Sequence, residues 1–196
     1  MRDRFLGDSL DMAKRASVAL LRCAGFRLLI CPLPSQNDFS ETDYRSCLGV
    51  QEEDRVFNPT SRFRSSQREE HLSALRAELP KWEPDKPGIV ILDPDKGLHD
   101  SLKSNLFLTV DEINGLVGVA KKLIVAVYHH KNAGSLSYLD LVERFMPRPA
   151  MAYDFGAAVL CFIHSEVEKL RQVWEVFATK LNPARILANK ELQRTR

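Results

Sequence analysis

Short, unbroken aliphatic runs are the feature that most limits how this chain can fold. They are "FRLLIC" (26–31), "GIVIL" (88–92), "KKLIVAVYHH" (121–130) and "FGAAVLCFIHS" (155–165). A strand with one wet face alternates apolar and polar residues, whereas a strand covered on both faces does not. These runs do not alternate, so they predict a sheet with helices on both sides. The segments between them carry helical signals. "SLDMAKRASVALLRCA" (9–24) repeats apolar or small residues at helical spacing and meets Gly25 as a C-cap. "SSQREEHLSALRAELP" (65–80) opens on serine and acid and ends at Pro80. Around "LFLTVDEINGLVGVA" (106–120) a brief strand leads to a helix from Asp111, which can serve as its N-cap. "SLSYLDLVERF" (135–145) and "EVEKLRQVWEVFATKL" (166–181) predict two more helices. Helix and strand in alternation predict a layered α/β domain with a mainly parallel sheet. Nothing divides residues 1–196 into two domains. Residues 32–65 are polar and proline-interrupted, and are expected to be an irregular insertion.

Composition removes several classes. The formal charge of +2 does not announce a nucleic-acid or membrane partner. Arginines at 55, 62, 64 and 68, and the Lys190 to Arg196 tail, suit phosphate contacts and equally suit a solvated surface. The four cysteines lack metal-ligand spacing, and no apolar stretch reaches the roughly 20 residues of a membrane span. With charges at Arg2, Asp3 and Arg4 the start is unlike a signal peptide, so a cytoplasmic protein is expected.

Ligands of open parallel sheets gather beyond the carboxyl ends of the strands. Three segments are expected there: Cys31-Pro32, Asp93-Pro94-Asp95-Lys96-Gly97, and Tyr128-His129-His130-Lys131. Two acids, a tyrosine, two histidines and a lysine on one rim make a candidate site, with Asp93, Asp95, His129 and His130 as its catalytic groups. The same Asp-Pro-Asp-Lys-Gly is also good turn chemistry, since proline presets φ and glycine accepts positive φ. No phosphate-binding GxxxxGK[ST] loop, GxSxG nucleophile elbow or HExxH zinc pair is present.

Four pieces occur in order: Gly7-Asp8 with Asp11 and Lys14, then Leu92-Asp93-Pro94-Asp95 with Gly97-Leu98, then Asp111-Glu112-Ile113, then Tyr128-His129-His130. This series resembles an uncharacterised bacterial and phage group of class I methyltransferase-like proteins. More distantly, it is similar to the ribosomal RNA adenine-N6 methyltransferases. The resemblance implies a three-layer Rossmann-like fold, S-adenosylmethionine as cofactor bordered by Asp8, Asp11 and Lys14, and a nucleic acid or nucleotide as substrate. Asp93-Pro94 would open the [DN]-P-P-[FYW] element that holds the target amine, with the base flipped into the pocket. Two positions depart from that pattern. Asp95 and Lys96 stand where a proline and a stacking aromatic belong, and "ICPLPSQND" (30–38) has no glycine for the cofactor loop.

Two other functions fit the same residues. Pro94-Asp95 followed by Glu112-Ile113-Asn114 is similar to the PD…[DE]-x-K nuclease pattern. Asp93, Asp95 and Glu112 would then hold Mg2+ or Mn2+ for phosphodiester cleavage. A fold that has lost its glycine loop would also serve as an inactive binding module.

Overall fold

The computed structural model describes residues 9–33, 40–57, 67–99, 107–130, 138–145, 147–156 and 158–193. Each aliphatic run is a strand, and each strand is joined to helices that shield it. Helix α1 (Ser9–Cys23) ends in a turn at Gly25, whose φ of 88° only glycine takes without strain. Strand β1 (Arg27–Leu33) follows, then α2 (Glu41–Leu48) and the two-residue β2 (Arg55–Val56). Helix α3 (Arg68–Glu78) leads to β3 (Gly88–Pro94), which continues through Asp93 into the start of the proline turn. A small parallel pair, β4 (Gly97–His99) and β5 (Phe107–Thr109), precedes α4 (Val110–Val119) and β6 (Leu123–His130). Then come α5 (Tyr138–Glu143), β7 (Ala150–Asp154), β8 (Ala158–Ile163), α6 (Val167–Lys180), β9 (Ile186–Ala188) and α7 (Lys190–Gln193).

Among the described residues the main sheet has seven strands in the order β2-β1-β3-β6-β8-β7-β9. β2, β1, β3 and β6 are parallel neighbours; β8 is antiparallel to both β6 and β7, and β9 is antiparallel to β7. Most strands therefore share one direction, and the sheet is mixed. The mainly parallel sheet expected from the runs holds for its first half. Its second half is an antiparallel hairpin turned at Gly156 (φ 98°), with β9 added at the edge.

Alternation along the strands sends side chains into two separate cores. Val90, Leu92, Val125 and Val127 pack under α3, α4 and α5 with Leu72, Leu75, Ile113, Leu116 and Phe145. Ile89, Ile91, Ile124, Ala126 and Tyr128 pack under α1, α2 and α6 with Val18, Leu21, Tyr44, Val173 and Phe177. The chain is thus a three-layer α/β structure, helices on both faces of one sheet. Each fully buried Leu, Ile or Val contributes about 1.5–3 kcal/mol, so neither face could be left wet.

Two local expectations change. Thr109, not Asp111, caps α4: its hydroxyl accepts from Glu112 N–H at 3.2 Å, and the Glu112 carboxylate accepts from Thr109 N–H at 2.7 Å. This reciprocal box satisfies two helix-end donors, where an Asp111 cap would satisfy one. Within 32–65 the described residues are also more regular than expected. Ser40 caps α2, Gly49 closes it at φ 65°, and β2 supplies the edge of the sheet. Among the described residues no helix is long and apolar enough to cross a membrane.

Candidate functional site

The strand order reverses beside β1. The chain goes from β1 outward to β2, then returns to place β3 on the other side of β1. A crevice opens at such a reversal, outside the carboxyl ends of the two strands. Asp93 is the last residue but one of β3 and stands at that place, in register with Pro32 of β1. It shares a face with Ile89 and Ile91, so it points toward α1 and α2.

α1 precedes β1 and runs against it, which brings its first turns to the carboxyl edge. There Lys14 reaches Asp93: Nζ lies 2.7 Å from Oδ1, with side-chain exposures of only 3% and 1%. The same ammonium is 3.9 Å from Asp11 Oδ1. From α2, Tyr44 donates its hydroxyl to Asp93 Oδ2 at 2.7 Å. Burial, and then the Asp93 carboxylate beside it, hold the Tyr44 proton far more tightly than usual. Lys14 Nζ also sits over the Tyr128 ring, 5.5 Å from its centre, a cation–π distance. Tyr128 is held by Ser17 Oγ and by the carbonyl of Lys14 itself, at 3.3 Å. Asp11 accepts from Cys47 Sγ at 3.4 Å. Residues distant in sequence thus form one buried polar knot, which among the described residues includes two carboxylates and one ammonium.

The two histidines separate. They are consecutive on β6, so they face opposite sides. His130 lies on the Tyr128 side. Burial and the neighbouring Lys14 ammonium lower its pKa to about 4, with Asp93 and Asp95 opposing, and among the described residues its Nε2 has no hydrogen-bond partner. His129 points into the other layer. Its Nδ1 accepts from Leu98 N–H at 3.1 Å, and burial, then nearby His99, lower its pKa to about 4. It belongs to the seat of β4 on β6. Both imidazoles are therefore neutral at neutral pH, each with a single ring proton.

The Asp-Pro-Asp-Lys-Gly turn is built against β6. His130 N–H donates to the carbonyl of Lys96 at 3.2 Å, and Gly97 adopts φ +108°. A Cβ there would stand 2.6 Å from His129 Cα, 2.7 Å from its Nδ1 and 3.0 Å from the Tyr128 carbonyl. Turn and site are therefore one feature. Asp95 is half-buried beside it and within electrostatic reach of His130.

Glu112 lies apart from this cluster. It takes two hydrogen bonds from Arg68, Nε at 2.5 Å and Nη2 at 2.6 Å, while Nη2 also meets the carbonyl of Phe107 at 2.6 Å. Burial pushes the Glu112 carboxyl up, but Arg68 and the Thr109 cap outweigh it and leave it below the usual range. Glu112 is a cap locked to α3, on the layer opposite Asp93. Among the described residues no group of three or more His, Cys, Asp or Glu side chains is placed to hold a metal ion. Arg55 pairs with Glu78 on the surface, whereas Arg68 is buried against Glu112, so these two arginines do not share a patch. Asp8, Arg62, Arg64, Lys131, Arg194 and Arg196 lie outside the described residues.

Sequence reading placed Tyr128 on this rim and missed Tyr44 and Ser17 as partners in the site. Two signals were present: Ser40 with Gly49 bracketing a short helix, and a serine one turn after Lys14 on the inner face of α1.

No family model matches the chain, and no curated protein matches it. Among solved structures it is similar to protein LPL1258 from Legionella pneumophila str. Philadelphia 1, described with the family model DUF519. The identity is 10%, the TM-score is 0.44, and the match covers 94% of this chain and 96% of that one. At that level of similarity no residue role passes from one protein to the other.

Proposed function

We propose that this chain is a divergent methyltransferase-like protein that acts on an amine of a nucleic-acid base or nucleotide. One observation carries the reading: Asp93, first residue of the Asp-Pro-Asp turn, stands at the reversal of strand order and is gripped by Lys14 of the N-terminal signature. Two pieces of the four-part series meet at the carboxyl edge, where a doubly wound sheet takes its ligand.

S-adenosylmethionine fits the charge of this site. Among the described residues two carboxylates stand beside the ammonium, and a cationic sulfonium complements carboxylates. When bound, it supplies a methyl group on positively charged sulfur. Asp11 and Lys14 would border it, and Asp93 would accept a hydrogen bond from the target amine. Divalent metal fits less well, because Asp93 is engaged by Lys14 and Tyr44 while Glu112 belongs to Arg68. The metal-nuclease reading therefore lacks its third carboxylate.

A binding module without catalysis is the second reading. It is favoured by the engagement of both Asp93 oxygens, which leaves neither turned toward a substrate. Transfer of labelled methyl from S-adenosylmethionine to RNA, DNA and nucleotides separates the two. The expected result is label on a base amine, reduced about 100-fold or more in Asp93→Ala, the scale of removing a positioned group from a reacting centre. Absence of label on every substrate class would favour the binding module.

A further inference from the structure

We propose that Asp11 is a second anchor for Lys14, which lets Asp93 turn from the lysine to a substrate amine without stranding a buried ammonium. The proposal rests on the reading of Asp93 given above and assigns Asp11 a positioning role within it.

The ammonium is nine-tenths buried and more, as are both carboxylates. A buried charge with no partner is among the costliest states a fold can hold. If Asp93 alone paired with Lys14, any amine that claimed Asp93 would create that state. The geometry supplies the alternative. Asp11 lies one turn earlier on the same helix, at the i,i+3 spacing that puts two side chains side by side. Its Oδ1 is 3.9 Å from Nζ, against 2.7 Å for Asp93, so about 1.2 Å of movement exchanges the two contacts. A lysine stem makes such a move through its own torsions.

Three further contacts suit an exchange. The Tyr128 ring lies beneath the ammonium at 5.5 Å and is fixed by Ser17 and the Lys14 carbonyl, so it accompanies the charge in either position. Asp11 Oδ2 is held by Cys47, which aims Oδ1 at the lysine. Asp93 Oδ2 stays on Tyr44 throughout, so the carboxylate keeps its orientation when Oδ1 is released.

The test is a double-mutant cycle on the full chain, with Asp11→Asn, Asp93→Asn and the double variant unfolded in urea at neutral pH. Each single variant is expected to lose little in its midpoint, because the other carboxylate retains the ammonium. The double variant is expected to lose clearly more than the two losses added together. Additive losses would overturn the proposal. Should the double variant not fold, a structure of Asp93→Asn decides: Nζ drawn to hydrogen-bond distance of Asp11 supports it, and Nζ left at its present distance overturns it. Neither readout uses a cofactor. Failure of S-adenosylmethionine to bind the wild type would defeat the methyl-transfer reading, whereas failure of the cycle would defeat only the second anchor.

Discussion

Replacing Gly97 by alanine tests whether the turn that carries Asp93 is set by its fit against β6. The backbone contribution comes from φ +108°, a region that residues with a Cβ occupy at a cost of about 1–3 kcal/mol. The steric contribution comes from the added Cβ, 2.6 Å from His129 Cα and 3.0 Å from the Tyr128 carbonyl. Both are backbone atoms of β6, which is held between β3 and β8, so the turn must move instead. Overpacking of that kind costs about 1–3 kcal/mol more. Reduced freedom of the unfolded chain returns only about 0.4–1 kcal/mol. The net expectation is a loss of about 2–5 kcal/mol, a large share of the 5–15 kcal/mol typical of a domain. With a urea slope of about 2 kcal/mol per molar, the midpoint falls by roughly 1–2.5 M. Gly118→Ala is the control. It is an exposed helical glycine with nothing within 4 Å of the added carbon, and should stabilise by about 0.5–1 kcal/mol. A Gly97→Ala variant within about 0.5 kcal/mol of wild type would refute the close-fit argument.

Three other outcomes follow from the same contacts. His129 has a folded pKa of about 4 against an unfolded value near 6.5, so the unfolded chain takes up the proton first on acidification. Stability is then complete above pH 6.5 and falls by about 1.4 kcal/mol per pH unit down to about 4; a His129→Leu variant with an unchanged acid slope would contradict this. Glu112→Ala removes the carboxylate from buried Arg68 and half of the α4 cap, with an expected loss of about 3–5 kcal/mol. The same variant should leave ligand binding at Asp93 unchanged by calorimetry, and a loss of binding would return Glu112 to the site. Finally, alkylation of the native protein followed by mass spectrometry should modify exposed Cys23 and spare buried Cys31 and Cys161, whose thiol protons burial holds tightly. Equal labelling of all three before unfolding would argue against the two-core packing.

Much of this arrangement was legible before the structure, and the limits have physical causes. Aliphatic runs mark strands buried on both faces, but such a strand reads the same in either direction. Nothing local in "AAVLCFI" said that β8 runs backwards between β6 and β7. β7, "AMAYD", carries little strand signal of its own, since a five-residue run with two alanines is weak beside "GIVIL". Other features were available and misread. Thr109-x-x-Glu112 is a capping box, which outranks Asp111 as a cap. Adjacent strand residues face opposite ways, so His129 and His130 could never both enter one crevice. Tyr44 was beyond reach: α2 is short and polar, and its docking over Asp93 is a tertiary contact with no sequence period. The meeting of Lys14 with Asp93 followed from topology, because a helix preceding β1 starts at the edge where β3 ends.

The most direct test of the central claim is a calorimetric titration of the wild type and of Asp93→Asn with S-adenosylmethionine, with Mg2+ as the competing ligand. Saturable uptake of S-adenosylmethionine by the wild type, weakened in the variant and indifferent to Mg2+, is the predicted result. Mg2+ binding that the variant abolishes, with no response to S-adenosylmethionine in either protein, would contradict it.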